Sequence, residues 1–233
     1  MKRIFQATLI ILSAVLWAPA VFGAEPGSFF TNGPRNKKEL ALTFDDGPGN
    51  YTPKVLEVLK KYNVKATFFM EGDQVEFRQK IAKMVFDDGH EVYSHSYSHP
   101  NFYFYKKDDY RQQLSKEIDK AEKLIQGVTG KKPNVMRMPY GYVRGWVKEV
   151  AKEKGYVLVN WTFGCDWKKM TAEQLAAEYI KNIGSGAIFL MHDGGKGRQP
   201  TVDALAKIIE EIQKRGYKIV PVGEMLGLKD TEK

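Results

Sequence analysis

The chain has 233 residues, of which 43% are hydrophobic and 12% aromatic, so it can bury a substantial core and is not of the disordered class. Its one cysteine excludes an intrachain disulfide, so the fold must be held by its core or by a metal. The formal net charge is +8, but the basic residues are scattered and form no long run. This pattern favours anionic surroundings such as a cell wall and argues against a nucleic-acid groove.

Residues 1–23 have the segment order of a secretory signal. Two basic residues precede an apolar stretch at 4–17, and small residues follow as far as Gly23. The stretch is shorter than the about 20 residues that span a bilayer. We expect cleavage after Gly23, a location in the periplasm or cell wall, and no stable membrane insertion of the mature chain; an uncleaved anchor is the alternative. Residues 24–38 are then a loose lead-in to a single domain at 39–233.

From residue 39 onward, short apolar runs alternate with amphipathic stretches, as expected of strands and helices. Seven strands are predicted, at residues 40–44, 66–70, 91–93, 134–138, 156–161, 187–191 and 217–222.

Caps and apolar stripes mark several helices. Thr52 is predicted to cap a helix with its hydroxyl group, with a proline in the first turn. Thr171 begins a capping-box pattern ahead of another helix. Apolar residues at helical spacing indicate two more helices, over 114–125 and 202–212, of which the second is predicted to be the last and to end at Gly216.

The alternation of strands and helices favours a parallel sheet with right-handed crossovers. The candidate architectures are a (β/α) barrel, complete or incomplete, and an open doubly wound sheet. No glycine-rich dinucleotide motif follows an early strand, which disfavours the open sheet of the Rossmann type. In a barrel, functional residues collect where strands end and loops begin.

Polar residues that can take part in catalysis or metal binding follow five of the predicted strands. They are Asp45, Asp46, His95, His99, Arg137, Asp166 and His192. Two histidines four residues apart, combined with a carboxylate, suit a metal site with open positions for water and substrate. The fourth histidine, His90, precedes a strand and is predicted to be structural.

A divalent cation at these strand ends would acidify a water molecule and polarise a carbonyl group, which indicates hydrolysis. One aspartate of the adjacent pair would be a ligand and the other a general base, and the pattern leaves open which is which. His192 is a candidate general acid because imidazole titrates near neutrality. Asp166 would orient His192, and Arg137 would keep the basic aspartate ionised. The alternative for each residue is a structural role in a turn, an ion pair or a helix cap.

Five motifs, in chain order, resemble those of the NodB-type polysaccharide deacetylases, carbohydrate esterase family 4. Residues 43–48 read TFDDGP, residues 95–100 match H-[ST]-x-x-H-P, and residues 137–141 match R-x-P-[YF]-G. Residues 166–167 match the end of D-x-x-D-W, and residues 190–192 match L-x-H.

The resemblance implies a distorted, incomplete (β/α) barrel and metal-dependent removal of acetyl groups from a polysaccharide. It implies that Asp45 is the general base and that Arg137 orients it. It also implies that Asp46, His95 and His99 bind the metal, usually Zn²⁺, with Co²⁺ or Mn²⁺ as alternatives.

The remaining site residues take their roles from the same resemblance. His192 is the general acid and Asp166 supports it. The backbone N–H of Tyr140 binds the oxyanion, a form of stabilisation that hydrolases of acyl groups commonly use. Trp167 and Leu190 line the pocket for the acetyl methyl group.

One position departs from the family pattern. Phe163 stands where the fourth motif has its first aspartate. We expect the pocket wall near Phe163 to differ, and with it the substrate preference. Cys165, beside Asp166, is expected to be a buried and inert thiol.

The expected substrate is an N-acetylglucosamine-containing polysaccharide, with peptidoglycan ahead of chitin-type chains because an exported cationic protein meets an anionic wall. One alternative is an O-acetyl esterase acting on xylan or another acetylated polymer, since ester and amide hydrolysis share an oxyanion intermediate. Another is a non-catalytic wall-binding protein. The aromatic run at 102–105 is expected to place at least two rings in the core and the rest beside a sugar-binding groove. The sequence predicts no oligomeric state.

Overall fold

The computed structural model describes residues 24–228. The signal predicted for residues 1–23 lies outside this range. Within it, none of the helices combines the length and the apolar character needed to span a membrane.

One sheet of parallel strands forms the centre of the described chain. Its strands are β1 Phe29–Phe30, β2 Glu39–Gly47, β3 Thr67–Met70, β4 Glu91–Ser94, β5 Val135–Met136, β6 Val157–Val159, β7 Phe163–Gly164, β8 Ile188–His192 and β9 Lys218–Ile219. The order is β1-β6-β5-β4-β3-β2-β8-β7, and β9 pairs with the start of β2. The path has two ends, β1 and β7, so over the described residues the predicted incomplete (β/α) barrel is confirmed.

Helices connect most of the strands and cover the outside of the sheet. They are α1 Thr52–Lys61, α2 Gly72–Phe77, α3 Gln79–Asp87, α4 Tyr110–Thr129, α5 Gly145–Lys154, α6 Ala172–Lys181, α7 Gln199–Lys214 and α8 Val222–Leu226. A short 3₁₀ turn, Pro139–Gly141, follows β5.

All seven predicted strands are present, and the sequence missed two more. Strand β1 lies inside the predicted lead-in and pairs with β6, with Phe29 opposite Leu158. Strand β7 pairs with β8. Each missed strand has two residues, which is too short for an alternating pattern to be recognised. The lead-in is therefore partly built into the sheet.

The helices predicted over 114–125 and 202–212 are present as α4 and α7, and two details of the helix predictions were wrong. Thr171 forms the predicted capping box at the start of α6. The Thr52 hydroxyl does not cap α1; it accepts from the Gly49 N–H at 2.7 Å and donates to the buried carboxylate of Asp193. Helix α7 is not the last helix, because α8 follows it.

The alternation of β2 divides its side chains between two cores. Leu40, Leu42 and Phe44 point outward into the layer between sheet and helices. Ala41 points inward, where β9 and α8 close one end of the barrel with a second apolar cluster. Thr43 and Asp45 continue this inward series toward the other end of the barrel, so the strand itself directs an acid into the interior.

His90, which was predicted to be structural, lies just before β4 with 5% of its surface exposed. Its Nδ1 accepts from the Ala66 N–H at 3.1 Å, and its ring packs edge-on against Phe68. Burial, helped by Lys65 and opposed by Asp88, lowers the pKa of His90 from 6.5 to about 4.

We predict that the free energy of unfolding falls as the pH is lowered from 6.5 toward 4, because the unfolded chain protonates His90 first. At 1.36 kcal/mol per pKa unit, this single group contributes at most about 3 kcal/mol above pH 6.5, all of it lost below pH 4. Denaturant unfolding of wild type and His90→Asn across this range measures the effect. The variant should show a flatter pH dependence, and parallel curves would contradict the assignment.

Candidate functional site

The predicted site residues meet in one cleft at the carboxyl ends of the strands. The cleft has a volume of about 400 Å³. It is lined by Asp45, Asp46, His95, His99, Met138, Tyr140, Trp161, Trp167, Leu190 and His192. Eight of the ten predicted residues are among them, while Arg137 and Asp166 are buried behind the cleft wall. The sequence analysis missed Met138 and Trp161.

Asp46, His95 and His99 converge on a single point. One donor atom from each side chain lies within 4.8 Å of the others. Asp46 Oδ1 is 3.4 Å from His95 Nε2 and 3.6 Å from His99 Nε2. This oxygen is buried and has no hydrogen-bond partner among residues 24–228. An orphaned carboxylate oxygen between two imidazole nitrogens fits a divalent cation with one oxygen and two nitrogen ligands.

The charges in this cluster favour a cation. Burial alone would raise the pKa of the Asp46 carboxyl group, but the imidazoles of His95, His192 and His99 outweigh burial and lower it. Burial alone would lower the pKa of the His95 imidazole. The carboxylates of Asp45 and Asp46 outweigh burial, and the net result is a pKa raised from 6.5 to about 8. A divalent cation at this point would compete with the proton on His95.

Asp46 reaches the cleft because the end of β2 is irregular. Adjacent residues of a strand point to opposite faces, and on that pattern Asp45 and Asp46 would diverge. Asp46 instead has a φ of 66°, and the register with β3 shifts between Asp45 and Gly47. A Cβ at Gly47 would lie 2.6 Å from the carboxylate oxygens of Asp193, so only glycine fits there. The turn therefore brings both carboxylates to the same side.

Asp45 is held by a buried arginine. Arg137 Nη1 donates to Asp45 Oδ1 and to Thr43 Oγ1, both at 2.7 Å. Its Nε and Nη2 donate to the backbone oxygens of Val159 and Asn160, both at 3.1 Å. Both charged side chains are almost fully buried. Asp45 Oδ2 is left facing the cleft.

The two histidines are carried by a loop and not by a helical turn. Ser96 and His99 both have positive φ values, 68° and 53°. His95 Nδ1 donates to the backbone oxygen of Arg137 at 2.8 Å, which leaves Nε2 unprotonated toward Asp46 in the neutral ring.

Glu117 of α4 fixes this loop from behind. Its Oε2 accepts from the N–H groups of Tyr97 and Ser98 at 3.0 and 2.7 Å, and its Oε1 accepts from the Ser98 hydroxyl at 2.8 Å. Only 4% of Glu117 is exposed. Sequence reasoning missed it, although an acid beside Leu114 and Ile118 on the apolar face of a helix was a usable signal.

His192 is the last residue of β8, and Asp166 orients its side chain. His192 Nδ1 donates to Asp166 Oδ1 at 2.7 Å, and the His192 backbone N–H donates to Oδ2 at 2.8 Å. Thr201 of α7 donates to the same Oδ2. The pKa of His192 is lowered by burial and raised by Asp166, and the net result is a rise. Arg198 Nη2 lies 3.9 Å from Asp46 Oδ2, on the same side of the cleft.

Aromatic and aliphatic side chains form the rest of the wall. Tyr140 has a φ of 59°, and its half-exposed ring contacts the His99 ring with centroids 4.6 Å apart. Leu190 is buried at the floor, while 51% of Trp167 is exposed. Together with Met138, these residues give part of the cleft an apolar surface.

The expectation that Phe163 alters the cleft wall was wrong. Phe163 lies on β7 opposite Phe189 and packs edge-on against Phe189 and Tyr179 in the outer core. Leu190, the next residue along β8, points to the cleft, so Phe163 faces the opposite side of the sheet. Cys165 is buried as predicted, and burial raises the pKa of its thiol.

Comparisons with known proteins agree with the resemblance. The family model described as polysaccharide deacetylase matches residues 32–159. A peptidoglycan-N-acetylglucosamine deacetylase of Bacillus cereus is 39% identical over 210 residues, which cover 88% of this chain and 96% of the relative. The crystal structure of the Bc1960 peptidoglycan N-acetylglucosamine deacetylase gives a TM-score of 0.82 at 36% identity, over 88% of this chain and 95% of that one. A CE4 family pseudoenzyme from Bacillus anthracis gives 0.77 at 35% identity, over 86% and 69%.

We predict that Glu117→Ala weakens metal binding by about 10- to 100-fold, because two buried N–H groups of the histidine loop lose their acceptor. Titration of metal-free protein with Co²⁺, followed by absorbance, measures the affinity. Asp119→Ala on the same helix is the matched control, since its exposed carboxylate pairs with Lys154 of α5. Equal affinities in the two variants would show that Glu117 does not position the ligands.

Proposed function

We propose that this chain, which belongs to the polysaccharide deacetylase family, is a metal-dependent hydrolase that removes N-acetyl groups from N-acetylglucosamine-containing polysaccharide outside the cytoplasm. The observation that carries the proposal is the cleft itself. It combines a possible metal triad with a carboxylate held by Arg137 and an imidazole held by Asp166. Metal-assisted hydrolysis of an amide uses a Lewis acid, a base and an acid, and each has a candidate within one cleft.

In this proposal, Asp46, His95 and His99 hold the cation. A bound divalent cation would supply Lewis-acid polarisation of the acetyl carbonyl group and would lower the pKa of water. Zn²⁺ is the proposed ion, with Co²⁺ or Mn²⁺ as alternatives, because the two-imidazole, one-carboxylate donor set suits all three.

Asp45 is proposed as the general base. Arg137 occupies its Oδ1, so Oδ2 is the atom that accepts the proton of the attacking water. Asp45 Oδ2 lies 3.7 Å from His95 Nε2, which puts the accepting oxygen beside the triad. The bond to Arg137 fixes the orientation of the Asp45 carboxylate, which presents Oδ2 to the cleft.

His192 is proposed as the general acid. Asp166 holds the proton on Nδ1, so Nε2 is the nitrogen that faces the cleft, 4.0 Å from Asp46 Oδ2. A protonated Nε2 would donate to the departing amine and release a glucosamine unit together with acetate. The raised pKa of His192 favours the protonated form that this step requires.

Tyr140, Trp167 and Leu190 are proposed to bind the acetamide. The Tyr140 N–H would donate to the oxyanion as it develops. Trp167 and Leu190 would surround the methyl group and give it apolar contacts.

Peptidoglycan is the proposed polymer. The names of the relatives support it, since the Bacillus cereus relative and the Bc1960 structure are both peptidoglycan N-acetylglucosamine deacetylases. The net charge of +8 suits an anionic wall, and the predicted signal at 1–23 would deliver the protein there. The rival hypothesis for this chain is a non-catalytic wall-binding role, since one of the structural relatives is a pseudoenzyme. Binding alone requires neither the Asp45 and Arg137 pair nor the His192 and Asp166 pair.

We predict that Asp45→Asn keeps its metal but loses about two to four orders of magnitude in kcat, because the amide cannot accept the proton of water. His95→Ala should lose both metal and activity. Metal content by atomic emission and acetate release measure the two properties, and thermal unfolding checks that each variant is folded. Turnover by Asp45→Asn near the wild-type rate would show that the base is another group.

We also predict that chelation abolishes acetate release and that adding back a single metal restores it. The substrate panel is peptidoglycan, chitooligosaccharides and acetylxylan. Release from peptidoglycan above the others supports the proposal, and release from acetylxylan alone would establish the O-acetyl esterase instead. No release from any substrate by the metal-loaded protein would favour the wall-binding role.

A further inference from the structure

Most of the large hydrophobic side chains that are exposed among residues 24–228 lie on segments that follow the strand ends of the cleft. Seven large hydrophobic side chains are exposed among the described residues. Five of them lie on segments that follow the strand ends carrying the site: Tyr103, Phe104, Tyr110, Tyr140 and Trp167. Exposed apolar surface costs free energy in water, and contiguous patches of it mark interaction surfaces.

Two chain segments carry these rings outward from the metal cluster. One runs on from His99 and the other from Tyr140, and the two touch first where these rings meet, with centroids 4.6 Å apart. They touch again further along, where the Tyr103 ring meets the Tyr142 ring edge-on at 4.7 Å and 84°. The aromatic surface is therefore continuous with the cleft.

A packed base lies beneath the exposed rings. Phe102 is buried, as expected for part of the aromatic run, and it contacts Tyr142 and Trp146 with ring centroids 6.2 and 5.5 Å apart. Tyr105 packs on Phe102 and donates its hydroxyl to Asp109. These contacts hold the surface in shape before a ligand arrives, which reduces the entropy lost on binding.

We infer that Tyr103, Phe104 and Tyr142, here named the aromatic shelf, bind the sugar units next to the unit whose acetamide enters the cleft. The inference rests on the proposed function and adds a preference for long glycan chains. The C–H face of a pyranose ring is apolar and flat, so it covers an aromatic face while its hydroxyl groups stay in water. Tyr103 and Phe104 are 54% and 76% exposed, so their rings are available for such stacking, and Tyr142 packs beside Tyr103 as the third member.

The test compares a short and a long N-acetylglucosamine oligosaccharide as substrates. The ratio of kcat/KM for the long to the short chain should fall about three- to tenfold in Tyr103→Ala and in Phe104→Ala. Tyr103→Phe keeps the ring and should keep the wild-type ratio. Phe77→Ala is the matched control, because Phe77 is an equally exposed aromatic at the end of α2, outside the shelf. An unchanged ratio in both alanine variants would overturn the inference.

A binding measurement separates this inference from the proposed function. Calorimetric titration with the long oligosaccharide should show weaker binding in both alanine variants than in wild type and Phe77→Ala. If wild type binds the oligosaccharide through the shelf but releases no acetate, the shelf stands and the proposed catalysis fails. If wild type releases acetate with no dependence of binding or kcat/KM on chain length, the shelf is wrong and the catalysis stands.

Discussion

The buried pairing of Arg137 with Asp45 is the interaction on which the rest of the cleft depends. Both charges lie out of solvent, and the guanidinium donates to β2 through Thr43 and Asp45 and to the segment ending β6 through Val159. The backbone oxygen of the same arginine fixes the tautomer of His95. One residue thus orients a carboxylate and an imidazole together. Removing either partner of such a buried pair typically costs about 3–5 kcal/mol, because the other charge is left unpaired.

Three further buried carboxylates act as internal supports, one for each loop of the cleft. Glu117 accepts from the histidine loop, Asp166 accepts from His192, and Asp193 accepts from Thr52 behind the turn that carries Asp46. None of these bonds joins neighbours in sequence. The barrel brings the groups together, and the carboxylates then hold the loops of the cleft in place.

The sequence predicted most of this arrangement where its signals were local. The apolar pattern of residues 40–44 predicted the strand that carries Asp45, and the spacing of Thr171 and Gln174 predicted the capping box. The cleft brings the strand-end residues together, as expected. Strands β1 and β7 were missed because each has two residues, and two other errors had non-local causes. The Thr52 hydroxyl donates to Asp193, which is far away in sequence. Phe163 points away from the cleft because its pairing with Phe189 of β8 puts its side chain on the outer face of the sheet. Asp46 turns toward the cleft because its φ angle is positive, at 66°. An aspartate can adopt this angle, but its presence in a sequence does not predict it.

Left-handed backbone at residues other than glycine is concentrated in the same loops. Among the described residues it occurs at Asp46, Ser96, His99, Tyr140 and, far from the cleft, Asn63. Such conformations cost of the order of 1–3 kcal/mol each and persist where function requires them. Stabilising substitutions therefore belong in the helices far from the cleft, because relaxing the loops toward ordinary backbone angles would move the side chains that line it.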